Sequence, residues 1–146
     1  MPVPTSTEGV ETMLRLTADQ LYVAIAHLYT AIKILRSVLA EIGSGAIQGL
    51  DISEDLATAW FEVNCCRLYT QSEVNLEELN LDAMGLINDA KSMMDSLMSW
   101  KKGLTPHGKL FIMQSIVTAA SYLKIVLEEL EGLLYRQRAG EFAIGA

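Results

Sequence analysis

Branched aliphatic residues recur at alternating intervals of four and three positions across the first third of the chain. They are Leu21, Ile25, Leu28, Ile32, Leu35, Leu39 and Ile42. In an α-helix this spacing places every member on one face, because residues three and four positions apart lie on neighbouring turns. Gly43, Ser44 and Gly45 follow, and glycine accepts the left-handed conformation found after helix ends. The pattern predicts a helix over residues 18–42 with one buried face.

A shorter apolar pattern predicts a second helix over residues 54–70. Ser53 is a suitable N-cap for it, because a serine hydroxyl can accept a hydrogen bond from a free backbone N–H of the first turn. Two capping-box patterns then favour a break within residues 70–82. No glycine or proline enforces that break, so one uninterrupted helix across the segment stays open. The shared face of this second helix holds Leu56, Trp60 and Val63.

Two longer apolar patterns follow. The residues between them give the clearest signals in the chain for the end of one helix and the start of the next. Two lysines and a glycine suit the end of one helix, and Thr105 followed by Pro106 suits the start of the next. This predicts helices over residues 74–102 and 106–138, which run antiparallel because their connection is short. The expected face of the third helix is Leu76, Leu79, Ala83, Leu86, Ala90, Met93, Leu97 and Trp100. That of the fourth is Ile112, Ile116, Ala119, Leu123, Val126, Leu130 and Leu133.

Together these patterns predict an all-α protein, an antiparallel bundle of four main helices in a single domain over residues 1–146. A length of 146 residues agrees with one domain. Thr5 and Glu8 match a capping box, which leaves open a short helix before the first main one. We expect an extended arm over residues 1–6 and an apolar tail over residues 139–146.

The chain has more apolar residues than a small bundle ordinarily carries. Its mean hydropathy is +0.26 and 51% of its residues are hydrophobic. Such a chain either sits in a membrane or covers apolar surface by association. Its most apolar stretch, residues 110–127, carries polar residues that recur every seven positions, which is typical of an amphipathic helix. We therefore expect association with itself or another protein, and no membrane span.

Candidates for this association are apolar side chains on the outer helix faces and in the tail. They are Tyr22, Tyr29, Trp60, Phe61, Met113, Val117, Leu127, Leu134, Phe142 and Ile144.

Charge is divided unevenly along the sequence. Residues 51–95 hold ten acidic and two basic residues, a net −8, whereas the remainder holds eight acidic and nine basic residues, a net +1. An acidic middle should repel phosphate backbones, so we do not expect a nucleic-acid partner.

Basic residues near one helix end could instead dock against acidic residues of a neighbouring copy. The candidates are Lys101, Lys102 and Lys109 against Glu73, Glu77 and Glu78.

Chemistry-bearing motifs are scarce. No Glu-x-x-His pair occurs, so the di-iron sites of many helical bundles are not encoded. His27 has no acidic residue one turn away on its own helix, and His107 falls in the first turn of the fourth helix. Glu78 and Asp82 lie one turn apart, as acids on solvated faces commonly do. We expect no catalytic residue, metal or cofactor.

The two cysteines, Cys65 and Cys66, are adjacent and cannot form an unstrained disulfide on a helix. We expect small buried thiols in a reducing compartment such as the cytoplasm, with a redox or catalytic role as the alternative. The N-terminus has no basic region followed by an apolar core, so no secretory signal is expected.

The functional expectation is a non-enzymatic structural or adaptor protein that acts through helix-mediated self-assembly or partner binding. Two alternatives stay open: a small helical enzyme of nuclease or toxin type, and a peripheral membrane-associated protein using the fourth helix.

Overall fold

The structure is a computed structural model that describes residues 16–45, 49–99 and 104–145, with side chains omitted at 49, 50 and 141–145. This part of the chain forms four helices and no strand: α1 (Ala18–Ser44), α2 (Gly49–Thr70), α3 (Val74–Ser99) and α4 (Pro106–Gly145). Each helix packs on two others, in the cyclic order α1–α2–α3–α4. The predicted all-α four-helix bundle is confirmed.

Helix ends are capped at three places, and those at Gly45 and Thr105 were predicted. Gln20 N–H donates to the Thr17 hydroxyl at 3.1 Å, and Thr17 N–H donates to the Gln20 amide oxygen at 2.9 Å, which completes a capping box. Gly45 ends α1 with φ 79°, a left-handed conformation that glycine adopts without strain. At the start of α4, Gly108 N–H donates to the Thr105 hydroxyl at 3.1 Å.

Two predicted boundaries are wrong. Helix α2 begins at Gly49, not at residue 54, and Ser53 is buried inside it. Its hydroxyl donates to Asp95 Oδ1 of α3 at 2.6 Å instead of capping α2, because buried Ile52 extends the apolar face one turn earlier. Helix α4 runs on to Gly145 where an end at residue 138 was predicted, so a separate tail is not formed.

The break between α2 and α3 occurs where the capping patterns favoured it, with α3 starting at Val74. Its buried face, however, is rotated from the predicted one. The predicted members Leu79, Leu86, Met93 and Leu97 are only half-buried. The residues buried in α3 are Leu76, Asn80, Ala83, Met84, Ile87, Ala90 and Met94. The polar residue Asn80 interrupts this stripe, so the spacing of apolar residues alone did not indicate it.

The predicted faces of α1 and α4 are nearly complete in the core. Only Leu39 of α1 and Leu133 of α4 are half-buried; every other predicted member is buried. Val38 takes the buried place beside Leu39. These two stripes meet because α1 and α4 are neighbours in the ring.

A buried polar contact joins α2 to α3 beside their turn. Asn80 Nδ2 donates to the Thr70 hydroxyl at 3.2 Å, and that hydroxyl donates to the Cys66 carbonyl oxygen at 3.3 Å. Both side chains are fully buried, and Asn80 Oδ1 has no partner among the described residues. A buried amide is costly unless it is hydrogen-bonded, so this contact favours one register of α2 against α3.

Replacing Thr70 by valine removes the acceptor of the buried Asn80 amide. We expect this variant to lose about 1–3 kcal/mol of unfolding free energy, the usual cost of a buried unsatisfied donor. Adding Asn80→Leu should recover part of that loss, because no amide is then left without a partner. Urea unfolding followed by circular dichroism measures the unfolding free energies of wild type, Thr70→Val, Asn80→Leu and the double variant. Strict additivity of the two single changes would contradict the coupling.

Candidate functional site

The outward side of α4 is the longest uncharged surface of the described helices. No charged residue occurs between Lys109 and Lys124, although this stretch spans four turns. Relative exposure is 54% at Leu110, 41% at Phe111 and 51% at Val117. An amphipathic helix of a soluble bundle normally carries charged residues on its solvent side. We call this surface, together with Ile125 just beyond Lys124, the α4 outer face: Leu110, Phe111, Gln114, Val117, Thr118, Ser121 and Ile125.

The residues predicted for association are spread over different environments. Tyr22, Tyr29, Phe61 and Val117 are exposed. Trp60, Met113 and Leu134 are half-buried against the core. Phe142 and Ile144 lie outside the residues whose side chains are described.

The placement of Leu127 on the outer surface is wrong. Only 7% of Leu127 is exposed. It lies beside Val126 and one turn before Leu130, both of which are buried, so it faces the bundle. Sequence spacing alone missed this, because residues flanking an apolar stripe can fall on either side of the solvent boundary.

Tyr22 and Tyr29 also help to hold α1 against α4. The Arg138 guanidinium lies 5.1 Å from the centre of the Tyr22 ring, within cation–π range. The Tyr29 hydroxyl donates to Glu131 Oε2 at 3.2 Å. The charge of Glu131 and this hydrogen bond raise the pKa of Tyr29.

A groove lies between the same two helices and includes Tyr29 and Glu131. We call it the α1–α4 groove; it has a volume of about 520 Å³. Lys33, Arg36 and Lys124 line it, and none of these cations has an ion-pair partner among the described residues. The other lining residues are Tyr29, Thr30, Ile32, Leu127, Glu128 and Glu131. Sequence reasoning missed this cluster, because its cations come from segments 88 or more residues apart.

The acidic part of the sequence becomes one face of the bundle. Residues 51–95 cover almost all of α2 and α3, which are neighbours, and α1 and α4 form the opposite face. Along α3, Glu78, Asp82 and Asp89 are exposed at spacings of four and seven positions. This spacing aligns them along the outside of the helix. We call these three residues the α3 acidic stripe.

The predicted electrostatic docking groups lie at opposite ends of the bundle. Glu73, Glu77 and Glu78 are near the start of α3, whereas Lys109 is near the start of the antiparallel α4. They could therefore meet only between copies. Glu77 Oε1 accepts a hydrogen bond from Arg67 Nε at 2.7 Å within the chain. This carboxylate is therefore not free for the docking between copies that was predicted for it. Lys101 and Lys102 lie outside the described residues.

One polar pair resembles part of a catalytic arrangement. His27 Nδ1 of α1 lies 2.5 Å from Glu62 Oε2 of α2, and both side chains are partly buried. The sequence pattern did not indicate this carboxylate, because Glu62 lies on a different helix from His27. Cys65 follows Glu62 by one turn and is half-buried.

The nearby thiol lacks the electrostatics of a nucleophile. Burial and the negative charge of Glu62 raise the pKa of Cys65. A reactive cysteine needs a lowered pKa so that the thiolate is populated at neutral pH. Within the described residues, no three His, Cys, Asp or Glu side chains are grouped so that they could hold a metal ion.

Comparison with known proteins gives no relative. The chain matches no protein-family model, no curated protein and no solved structure.

Two helices, Ala18–Ser44 and Pro106–Gly140, are long and apolar enough to cross a membrane by length and composition. Core helices of soluble bundles meet the same criterion, so this finding is weak evidence of membrane insertion.

The buried thiol of Cys66 should make stability sensitive to alkaline pH. Burial raises the pKa of this thiol from 9.0 to about 12. The folded protein then retains a proton that the unfolded chain loses, so the stabilisation is complete below pH 9 and is lost as the pH rises towards 12. The difference in unfolding free energy between wild type and Cys66→Ala should therefore shrink over this range. Urea unfolding from pH 8 to pH 10.5 measures it, and a constant difference would contradict the shifted pKa.

Proposed function

We propose that this chain is a non-enzymatic structural or adaptor protein that acts by docking its outer helical surface against another protein, first of all a second copy of itself. The observation that carries the proposal is the α4 outer face. Four large apolar side chains are exposed there: Leu110, Phe111, Val117 and Ile125. An uncharged strip of this length is costly to leave in water and is typical of surfaces that become covered.

Energetic considerations agree with docking. Apolar surface contributes about 25 cal/mol for each Å² removed from water, so burying about 600 Å² contributes about 15 kcal/mol. Association costs about 4–15 kcal/mol in lost translational and rotational freedom. The α4 outer face could offset that cost if a matching face from the partner covers it. Exposed aromatic residues such as Phe111 are well suited to anchor such a contact.

The polar sites favour this reading over an enzyme. The His27–Glu62 pair joins two helices, and the thiol next to it has a raised pKa, which disfavours nucleophilic chemistry. The pair can serve as a hydrogen-bonded link between α1 and α2 without any substrate. The Ser53 hydroxyl also lies 2.6 Å from Asp95 Oδ1, but Ser53 is buried and the contact links α2 to α3.

The proposal predicts a concentration-dependent mass that the α4 outer face controls. Wild-type protein should scatter light as multiples of 16.1 kDa, and the mass should rise with concentration. Val117→Glu should shift the apparent dissociation constant by at least tenfold towards monomer, because a charge would be buried in the contact. Leu68→Glu is the matched control, since Leu68 is equally exposed but lies on α2.

Two results would overturn the proposal. One is a wild-type protein that stays monomeric at every concentration and retains no protein partner on chemical cross-linking. The other is a wild-type monomer that floats with lipid vesicles and loses this property on Val117→Glu, which would favour the membrane alternative. Circular dichroism of each variant verifies that the helices are retained.

A further inference from the structure

We propose that the α1–α4 groove of one copy receives the α3 acidic stripe of a second copy, so that successive copies associate front to back. This inference rests on the proposed function and specifies which surfaces meet. The α4 outer face would supply apolar contact area, and the groove would set the direction of docking. Complementary charge commonly fixes orientation in this way.

The groove has the character of a receptor for carboxylates. Lys33 and Arg36 are three positions apart on α1, and Lys124 lines the same groove from α4. Glu128 and Glu131 also line it, but Glu131 accepts the hydrogen bond from Tyr29. Three cations against two acids leave the groove positive in a chain of net charge −7. Unpaired cations clustered in this way favour an anionic partner.

The floor of the groove is apolar. Ile32 and Leu127 line it below the cations. A volume of about 520 Å³ is enough for several side chains of a docking helix, and not for the helix itself. A partner helix would therefore lie across the groove and insert side chains that are acidic at the rim and apolar in the middle.

The α3 acidic stripe offers this combination. No described residue pairs with the carboxylates of Glu78, Asp82 or Asp89. Along the helix axis, Glu78 and Asp82 are about 6 Å apart, and Asp82 and Asp89 are about 10 Å apart. A short groove can span these distances. Leu81 is exposed beside Asp82 and could reach the apolar floor.

Gly85 leaves room for close contact at this place. It lies between Asp82 and Asp89, in the interior of α3. A Cβ atom built there would meet nothing within 4 Å, so packing within the chain does not require glycine. Glycine lowers helix stability relative to alanine, which makes an unneeded glycine unfavourable. A second backbone approaching closely would make its small size useful.

The two surfaces lie on different helices, so one copy can use both at once. The groove belongs to the α1–α4 face and the stripe to α3, on the other side of α4 from α1. A contact between two different surfaces is heterologous and generates a ring or an open filament. We therefore expect masses that grow beyond a dimer.

Charge reversal with mixing tests the pairing. One triple variant reverses the groove cations and the other reverses the stripe: K33E/R36E/K124E and E78K/D82K/D89K. Each variant alone should associate at least tenfold more weakly than wild type in light scattering. An equimolar mixture should recover association, because each reversed surface then meets its complement. A control variant with the same charge change as the stripe variant alters exposed acids elsewhere, D19K/D51K/E54K, and should associate like wild type, because both docking surfaces are intact.

Each outcome of the mixing experiment has one meaning. If the triple variants associate like wild type while Val117→Glu does not, self-association stands and front-to-back docking is wrong. If the equimolar mixture of the two triple variants does not recover association, the pairing of these two surfaces is also wrong. A loss of association in D19K/D51K/E54K as large as that in E78K/D82K/D89K would show that net charge, and not the stripe, governs assembly. A wild-type monomer removes front-to-back docking, and it removes the proposed function as well if no other protein is retained on chemical cross-linking.

Gly85 supplies a readout that does not change charge. Gly85→Leu should raise the melting temperature, because leucine favours helix and the site is open. It should also weaken association at least tenfold by blocking close approach. Gly140→Leu is the control, since that glycine is also open and lies in α4. Unchanged association in Gly85→Leu would overturn the close contact at α3.

Discussion

The fold depends on four helices that each bury one stripe while touching only two neighbours. Burial is continuous around this ring, and the stripes of α1 and α4 supply most of its large aliphatic side chains. Apolar burial has no direction, so it fixes the helices together without fixing their register. Directional contacts such as Asn80–Thr70 and Ser53–Asp95 add that constraint between α2 and α3.

The same arrangement determines what is left outside. Because each helix faces the centre with one stripe, the opposite side of every helix remains in contact with solvent. On α3 that side carries acids, whereas on α4 it is uncharged for four turns. The bundle thus separates an acidic surface from an uncharged surface with exposed apolar side chains that folding does not cover. Both surfaces follow from burial of the same core, which links the proposed association to the fold itself.

Much of the fold was predictable because helix periodicity is a local property. The seven-residue stripe of α1, the capping box at Thr17 and the turn at Gly45 need only neighbouring residues to form. The rotated stripe of α3 was not predictable in this way. Its polar member, Asn80, is buried only because Thr70 of another helix accepts its hydrogen bond. The outward position of Val117 followed from spacing, but the burial of Leu127 depends on how closely the neighbouring helices pack.

The sequence by itself determined that this chain forms long amphipathic helices, where they are capped, and that its charge is divided between the middle and the ends. Only the tertiary structure decided which side chains from different helices meet. His27 with Glu62, and Lys33 and Arg36 with Lys124, are brought together across 35 and 88 or more positions. Spacing along one helix holds no information about such pairs, because they depend on the order and rotation of helices in the ring.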